Sequence, residues 1–449
     1  MPLAVYIIGL GIFTQGTSEF MLSGLLPGMA DDLGVSIPDA GLLISAFAIG
    51  MVVGAPLLAV ATLRWPRRTA LVSLQAAFVA AHVVGALAPG YAVLFVTRVI
   101  GALAYAGYWG VAVATAVALV PAGAKARAVA VVAGGLTLAT IVGVPAGTLL
   151  SQVSDWRAAF WAVAAATAVS AVCTLLFVPG GRGGRGGRVS RGDRGGRGAG
   201  DQPSVRAELR AMARPQLWLS YAVTAFAFGA VIVTFSYLAA LLTEVTGVPE
   251  GWVPAVLALF GVGGMAGIVI GGRTGQTRPL GTLGAGLGAL AVFSALLALT
   301  AHVAAVVIAL VLLLGFVGYV TNPALQSRVF ALAPGAPTLV GATNTAAFNV
   351  GNTVAPLLGG LAIDAGHGYA SVAWVGAALA AVGAAGVLWA ATLQRAERER
   401  VERERVERER VEREQGARER VERERGARER VEREQAEDPF CMCVPKRLP

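Results

Sequence analysis

Long apolar runs separated by short polar interruptions make up most of the chain. Each run is close to the ~20 residues that an α-helix needs to cross a hydrocarbon layer of ~30 Å. A wider break between residues 178 and 216 divides the runs into two groups of six. They predict transmembrane helices over residues 4–27, 39–62, 69–89, 92–120, 128–152, 158–178, 216–243, 252–272, 280–301, 303–327, 338–363 and 369–393.

Composition supports an all-α membrane protein. The mean hydropathy is +0.67 and only 14% of the 449 residues are charged, whereas soluble domains carry roughly 25%. We predict an N-terminal six-helix bundle over 1–178 and a C-terminal six-helix bundle over 216–393. A Gly/Arg-rich cytoplasmic linker, 179–215, joins them, and a charged cytoplasmic repeat tail, 394–449, follows.

The loop charges predict an orientation. Basic residues fall in loops on one side of the predicted helices: Arg64, Arg67, Arg68, Lys125, Arg127, Arg273, Arg278 and Arg328. The loops on the other side are acidic, and Arg157 is their one basic residue. Because positive loops stay in the cytoplasm, we expect a multi-pass plasma-membrane protein with both termini cytoplasmic.

The net charge of +9 comes largely from low-complexity segments. The Gly/Arg segment fits a flexible linker that contacts anionic lipid better than it fits a nucleic-acid site. The tail repeats "VERER", and a period of five places successive valines about 140° apart on a helix, without a stripe. We interpret the tail as disordered or as a solvated charged helix. A membrane scaffold or sensor that uses these segments remains an alternative.

Glu19 is the one acidic residue deep within a predicted span, where a charge costs at least ~2.5 kcal/mol. At ~1.5 Å per residue, Arg98 in the fourth span lies at a similar depth. Burial disfavours a carboxylate and a nearby arginine favours it, so this pair fits a proton-coupling site. The alternative is a static buried ion pair.

Several further side chains are candidates for contact with a substrate in a cavity between the bundles, and their alternative role is helix packing. In addition to Glu19 they are Tyr105, Tyr108, Trp109, Phe226, Phe235, Tyr237, Asn349 and Asn352. Gly143, Pro145 and Gly147 in the fifth span, and Pro356 in the eleventh, predict close helix approach and bending. Arg64, Arg67 and Arg68 form a basic loop that we expect to cap helix ends and to form hydrogen bonds between the two bundles; the alternative is that these charges only set the topology.

Enzyme motifs are scarce, and no phosphate-binding loop that would couple ATP to this chain is present. The histidines, His82, His302 and His367, fall near the outer ends of spans and are too dispersed for a metal site. We therefore expect no enzyme activity, no metal and no cofactor other than protons. We expect a monomer that does not bind nucleic acid.

Five motifs resemble the major facilitator superfamily and, within it, the twelve-span drug:proton antiporters. "FVTRVIGALAYAG" (95–107) is similar to the family's motif in the fourth helix, with Arg98 and Gly101 at its Arg and Gly. "GVPAG" (143–147) resembles the antiporter motif. "GTSEFMLSGLLP" (16–27), "WPRR" and "NVG" resemble the actinobacterial chloramphenicol-resistance exporters. The resemblance implies proton-coupled antibiotic efflux by alternating access, with Glu19 as the coupling carboxylate.

The loop after the second span departs from the family pattern, since Leu63 stands in place of the family's Asp. An Asp-based latch between the bundles is therefore doubtful here. An exporter or facilitator of sugars or metabolites with the same fold remains an alternative.

Overall fold

A computed structural model describes residues 1–62, 65–179, 214–333 and 337–437. Within these ranges every regular element is helical. The first half contains α1 (Leu3–Leu33), α2 (Ile37–Thr62), α3 (Arg67–Ala86), α4 (Tyr91–Ala118), α5 (Lys125–Leu138), α6 (Val144–Val153) and α7 (Trp156–Phe177). The second contains α8 (Pro215–Ser236), α9 (Val253–Thr277), α10 (Pro279–Leu299), α11 (Ala304–Val320), α12 (Asn322–Leu332), α13 (Pro337–Ala362) and α14 (Ser371–Glu437).

Eleven helical stretches among the described residues are long and apolar enough to cross a membrane, which confirms the all-α membrane fold. The first helix, α1, is long enough at 31 residues but is not one of the eleven. Its middle carries polar side chains from Thr14 to Ser23, which lower its hydropathy. With α1 included, the helices are consistent with the twelve predicted spans.

Prolines explain two breaks within predicted spans. A π-helical turn, Ala139–Gly143, joins α5 to α6 just before Pro145. Proline lacks an N–H and crowds the carbonyl four residues earlier, so a helix adapts there by a local change of winding. Pro323 at the start of α12 coincides with the break from α11. By contrast, α1 continues through Pro27 to a left-handed Gly34 (φ 63°), beyond the predicted end at residue 27.

The contacts divide the chain into two units, Met1–Ala390 and Ala391–Pro449. The first unit contains both groups of membrane helices, which pack against each other in one hydrophobic core. We call the end of this unit where α1 begins the N-terminal face, and the end where α1 finishes at Leu33 the distal face.

At the distal face an acidic side chain joins the end of α1 to the start of α7. Asp32 accepts hydrogen bonds from Trp156 Nε1 at 3.0 Å and from Arg157 at 2.6 Å. These bonds hold the pKa of Asp32 below its ordinary value. The Arg157 guanidinium also lies 4.3 Å from the centre of the Trp156 ring. Arg157, the basic exception among the acidic loops, is thereby paired with an acid at the same face.

Asp155 caps the N-terminus of α7, because its Oδ1 accepts a hydrogen bond from the Ala158 amide at 2.9 Å. We predict that Asp155→Ala destabilises the protein by about 0.5–2 kcal/mol, because one amide at the helix start loses its partner. Thermal unfolding in detergent, followed by tryptophan fluorescence, measures this effect. Asp155→Asn is the matched control, since asparagine caps equally well; equal losses in both variants would contradict the capping role.

The second unit contains the charged repeats, which are helical as far as Glu437 and exposed. Arginine and glutamate four residues apart form ion pairs there, such as Arg405 with Glu409 at 3.0 Å and Arg410 with Glu414 at 3.1 Å. Exposed pairs of this kind contribute little stability. Nearly all of the predicted linker, 179–215, lies outside the described residues.

Candidate functional site

Glu19 lies at the contact between the two halves. Its side chain is 8% exposed, in the polar middle of α1. Asn352 of α13, itself 2% exposed, donates a hydrogen bond from Nδ2 to Glu19 Oε1 at 3.4 Å. This bond is long for its type, and Asn352 Oδ1 has no partner among the described atoms. The buried carboxyl is therefore held weakly, by a residue of the opposite half.

Arg98 binds α1 one residue before Glu19. Its NH1 donates to Ser18 Oγ at 2.7 Å and its NH2 donates to the Ser18 carbonyl oxygen at 3.0 Å. The guanidinium also lies 4.2 Å from the centre of the Phe47 ring, and its Nε has no partner among the described atoms. The ion pairs found in the described part of the chain do not include one between Arg98 and Glu19. The sequence hypothesis of a static Glu19–Arg98 ion pair is therefore not the observed arrangement.

His82 belongs to the same cluster, although the sequence analysis considered it only as a metal ligand and set it aside. It is 3% exposed, and its Nε2 lies 2.6 Å from Ser18 Oγ. Gly101 lies beside it, and a Cβ at this position would be in ordinary van der Waals contact with the imidazole at 3.5 Å. The available sequence signal was the one ionisable side chain inside its predicted span, 69–89.

The electrostatic environment of the Glu19 carboxyl includes one tyrosine from each half. Tyr105 of α4 and Tyr319 of α11 both lie within electrostatic range of Glu19. Tyr105 is buried and packs edge-on against the half-buried Trp109, with ring centres 6.3 Å apart. Tyr319 packs edge-on against Phe260 at 6.2 Å and was not predicted. The site thus combines one carboxyl with amide, phenol and indole groups.

The small residues of α5 and α6 allow this segment to lie directly against α1. Gly143 is so close to Thr17 that any Cβ would overlap the threonine hydroxyl. A Cβ at Gly147 would lie 3.4 Å from the Cβ of Met21. The π-helical turn before Pro145 occurs along this seam. The bend and the glycines together fix the backbone of α1 next to Glu19.

Tyr237 closes the contact between the halves near the distal face. Its ring lies between Gly41 of α2 and Gly359 of α13, and its hydroxyl donates to the Pro356 carbonyl at 2.8 Å. Gly41 lies so close to the Tyr237 hydroxyl that a Cβ atom at position 41 would clash with it. Nearer to Glu19, Ser45 of the first half donates to the Thr353 carbonyl at 2.8 Å. In this structure the halves are therefore closed between Glu19 and the distal face.

Four other predicted substrate contacts have packing or hydrogen-bond partners other than Glu19. Tyr108 is fully buried and donates to the Ile8 carbonyl at 3.2 Å. Phe235 stacks on Phe260 inside the second half, and Phe226 is 36% exposed beside Gly383 of α14. Asn349 donates to the Thr345 carbonyl of its own helix at 3.0 Å. These contacts are typical of packing.

The basic loop contacts helix ends within the first half. Arg67 donates to the Ala114 carbonyl at 3.4 Å and Arg68 donates to the Leu175 carbonyl at 3.3 Å. Both carbonyls lie near C-terminal ends of helices, where positive charge is favourable. Arg64 lies outside the described residues. Nowhere in the described chain do three or more metal-binding side chains gather.

Comparisons with known proteins give one consistent result. The model of the Major Facilitator Superfamily matches residues 8–347. The chain is 40% identical over 382 residues to a chloramphenicol resistance protein of Streptomyces lividans, covering 85% of this chain and 94% of the relative. It is 35% identical to the inner membrane transport protein YdhP of Escherichia coli K12, covering 83% and 92%. A bacterial homologue of the human lysosomal transporter Spinster has the same fold, with a TM-score of 0.71 at 18% identity, covering 86% and 95%.

Proposed function

Because the chain belongs to the major facilitator superfamily, we propose that it exports an amphiphilic antibiotic, chloramphenicol or a similar compound, in exchange for protons. The observation that carries this proposal is the position of Glu19. It is a buried carboxyl, and its hydrogen bond crosses from one half of the protein to the other. The similarity to the Streptomyces chloramphenicol resistance protein supports the class of substrate.

A carboxyl at such a contact can link protonation to the movement of the halves. Burial disfavours the carboxylate, whereas a nearby arginine favours it, so small rearrangements alter its proton affinity. When the site faces outwards, Glu19 binds a proton and drug leaves. When it faces inwards, Glu19 releases the proton as drug binds. Protons are the only cofactor, and the proton gradient supplies the free energy.

The proposed drug site lies between the halves around Glu19. Asn352, Tyr105 and Trp109 from the sequence candidates, together with Tyr319, provide polar and aromatic surfaces there. Largely apolar sites with a few polar groups are typical for drug-sized ligands. The protein would act as a plasma-membrane monomer with both termini in the cytoplasm, the side of the basic loops. The distal face is then the outer face, and the structure represents an outwardly closed state.

Resistance measurements in a drug-sensitive bacterial host test the proposal. Expression of the full chain is expected to raise the inhibitory concentration of chloramphenicol severalfold and to lower its cellular accumulation. A proton uncoupler should restore accumulation to the level of the empty vector, because the gradient drives export. Resistance that is unaffected by the uncoupler would contradict proton coupling. Unchanged sensitivity to chloramphenicol and to a panel of amphiphilic antibiotics would contradict the substrate class and favour export of sugars or metabolites.

A further inference from the structure

Three buried side chains from three helices form one hydrogen-bonded chain next to Glu19. Ser18 of α1 is fully buried, Arg98 of α4 is 1% exposed and His82 of α3 is 3% exposed. Ser18 Oγ lies 2.7 Å from Arg98 NH1 and 2.6 Å from His82 Nε2. His82 is thus linked to the buried Arg98 through Ser18, and the proton exchange described above assigns no role to His82.

The partners of His82 determine where its proton lies. Nδ1 is 2.9 Å from the Phe78 carbonyl oxygen, which can only accept, so Nδ1 carries the proton. In the neutral imidazole Nε2 is then an acceptor, and the Ser18 hydroxyl donates to it. Arg98 can only donate, so Ser18 Oγ accepts from NH1. Each hydrogen bond of the chain then joins one donor to one acceptor, and the Ser18 hydroxyl hydrogen points away from Arg98.

The imidazole is held firmly in this orientation. The Phe78 ring stacks on it at 4.0 Å between centres, and the Phe160 ring lies at 5.5 Å. A fixed imidazole fixes the Ser18 hydroxyl, which in turn presents a lone pair to Arg98. As a result two guanidinium nitrogens are bonded to Ser18, and the Glu19 carboxyl contacts Asn352 instead.

We propose that His82 is a positioning residue that, through Ser18, holds Arg98 beside Glu19 but out of contact with it. This inference rests on the proposed function, since it explains how the proton affinity of Glu19 is set. Without the His82–Ser18 link, Arg98 moves towards the carboxyl and stabilises the carboxylate more strongly. The ionisable groups around the pair are Glu19, Arg98 and His82 itself, with Tyr105 and Tyr319 on the carboxyl side.

The test is the pH dependence of chloramphenicol binding to the purified full chain, measured by equilibrium binding of the radiolabelled drug. Protons compete with drug at Glu19, so wild-type binding should rise with pH. In Ser18→Ala, and in His82→Phe, which keeps an aromatic ring against Phe78, the midpoint should move to lower pH by up to about one unit. In the double variant Ser18→Ala, His82→Phe, the midpoint should move no further than in the single variant with the larger shift, because His82 acts through Ser18. His302→Phe, at an exposed histidine, is the matched control and should leave the midpoint unchanged.

Two results would overturn the inference. One is that the variants bind drug more weakly while the pH midpoint of binding stays unchanged, as expected if His82 only packs against its neighbours. The other is a shift to higher pH. If His82→Phe does not fold, His82→Leu takes its place, because it too cannot accept the Ser18 hydroxyl, whereas Ser18→Ala removes the Arg98 bond whatever the role of His82. If the proposed proton-coupled export is itself wrong, wild-type binding will be independent of pH, or Glu19→Gln will keep the wild-type pH dependence.

Discussion

Replacing Glu19 by Gln is expected to abolish proton-driven accumulation of chloramphenicol in membrane vesicles. The amide has nearly the same shape and can still accept the hydrogen bond from Asn352, but it cannot bind and release a proton. Accumulation driven by an imposed pH gradient should fall to that of vesicles without the protein. Exchange of labelled for unlabelled drug without a gradient requires no proton step and should persist, but at higher drug concentrations, because glutamine resembles the protonated carboxyl that competes with drug.

Glu244→Gln is the matched control for this experiment. Glu244 also belongs to the membrane unit, but its side chain is exposed near the distal face, so its neutralisation should leave accumulation unchanged. If Glu19→Gln accumulates drug against a gradient at the wild-type rate, then another group carries the proton and the assigned coupling role is wrong. If exchange is lost as well, Glu19 is needed for drug binding in addition to coupling.

Gly41→Ala is expected to impair transport by opening the contact near the distal face. The new Cβ would overlap the Tyr237 hydroxyl, which is itself held by the Pro356 carbonyl. Overpacking of this kind costs about 1–3 kcal/mol, which corresponds to a roughly 5- to 150-fold change in a conformational equilibrium. The transport rate should fall accordingly. The control is Gly134→Ala, since Gly134 faces open space and tolerates a methyl group.

A second substitution tests the geometry of this contact. Tyr237→Phe removes the nearest atom that the new methyl group would meet and leaves the ring, so the double variant Gly41→Ala, Tyr237→Phe should transport faster than Gly41→Ala alone. Labelling of Ser45→Cys by a membrane-impermeant thiol reagent, in a chain without its natural cysteines, reports the opening. Labelling should be faster in Gly41→Ala and slower again in the double variant. Equal labelling in all variants would argue against Tyr237 as the closing residue.

The apolar pattern predicted the membrane helices well, because a helix that crosses a membrane needs a fixed length of apolar chain. The pattern was less reliable in α1, where a proline and several polar residues interrupt the apolar run. The first predicted span ends at residue 27, yet α1 continues through Pro27 to Leu33. The same helix carries so many polar residues between Thr14 and Ser23 that its hydropathy falls below that of the other spans. Both departures occur in the helix that carries Glu19.

Counting residues by depth brought Arg98 to the level of Glu19, and in the structure Arg98 contacts the preceding residue, Ser18. Depth does not define which way a side chain points around its helix, so it could not decide whether Glu19 and Arg98 touch. The bond between Glu19 and Asn352 joins residues 333 positions apart. It depends on how the two halves pack, and no local pattern contains that information. His82 was missed because it was tested only as a metal ligand.

The central claim, exchange of drug for protons, is tested most directly with wild-type protein in sealed vesicles that contain a pH-sensitive dye. A chloramphenicol gradient is imposed without any initial pH gradient. If drug and protons exchange, drug leaving the vesicles drives protons inwards, so the lumen becomes acidic, and Glu19→Gln abolishes the signal. Passage of drug through the wild-type protein at constant lumenal pH would contradict the account.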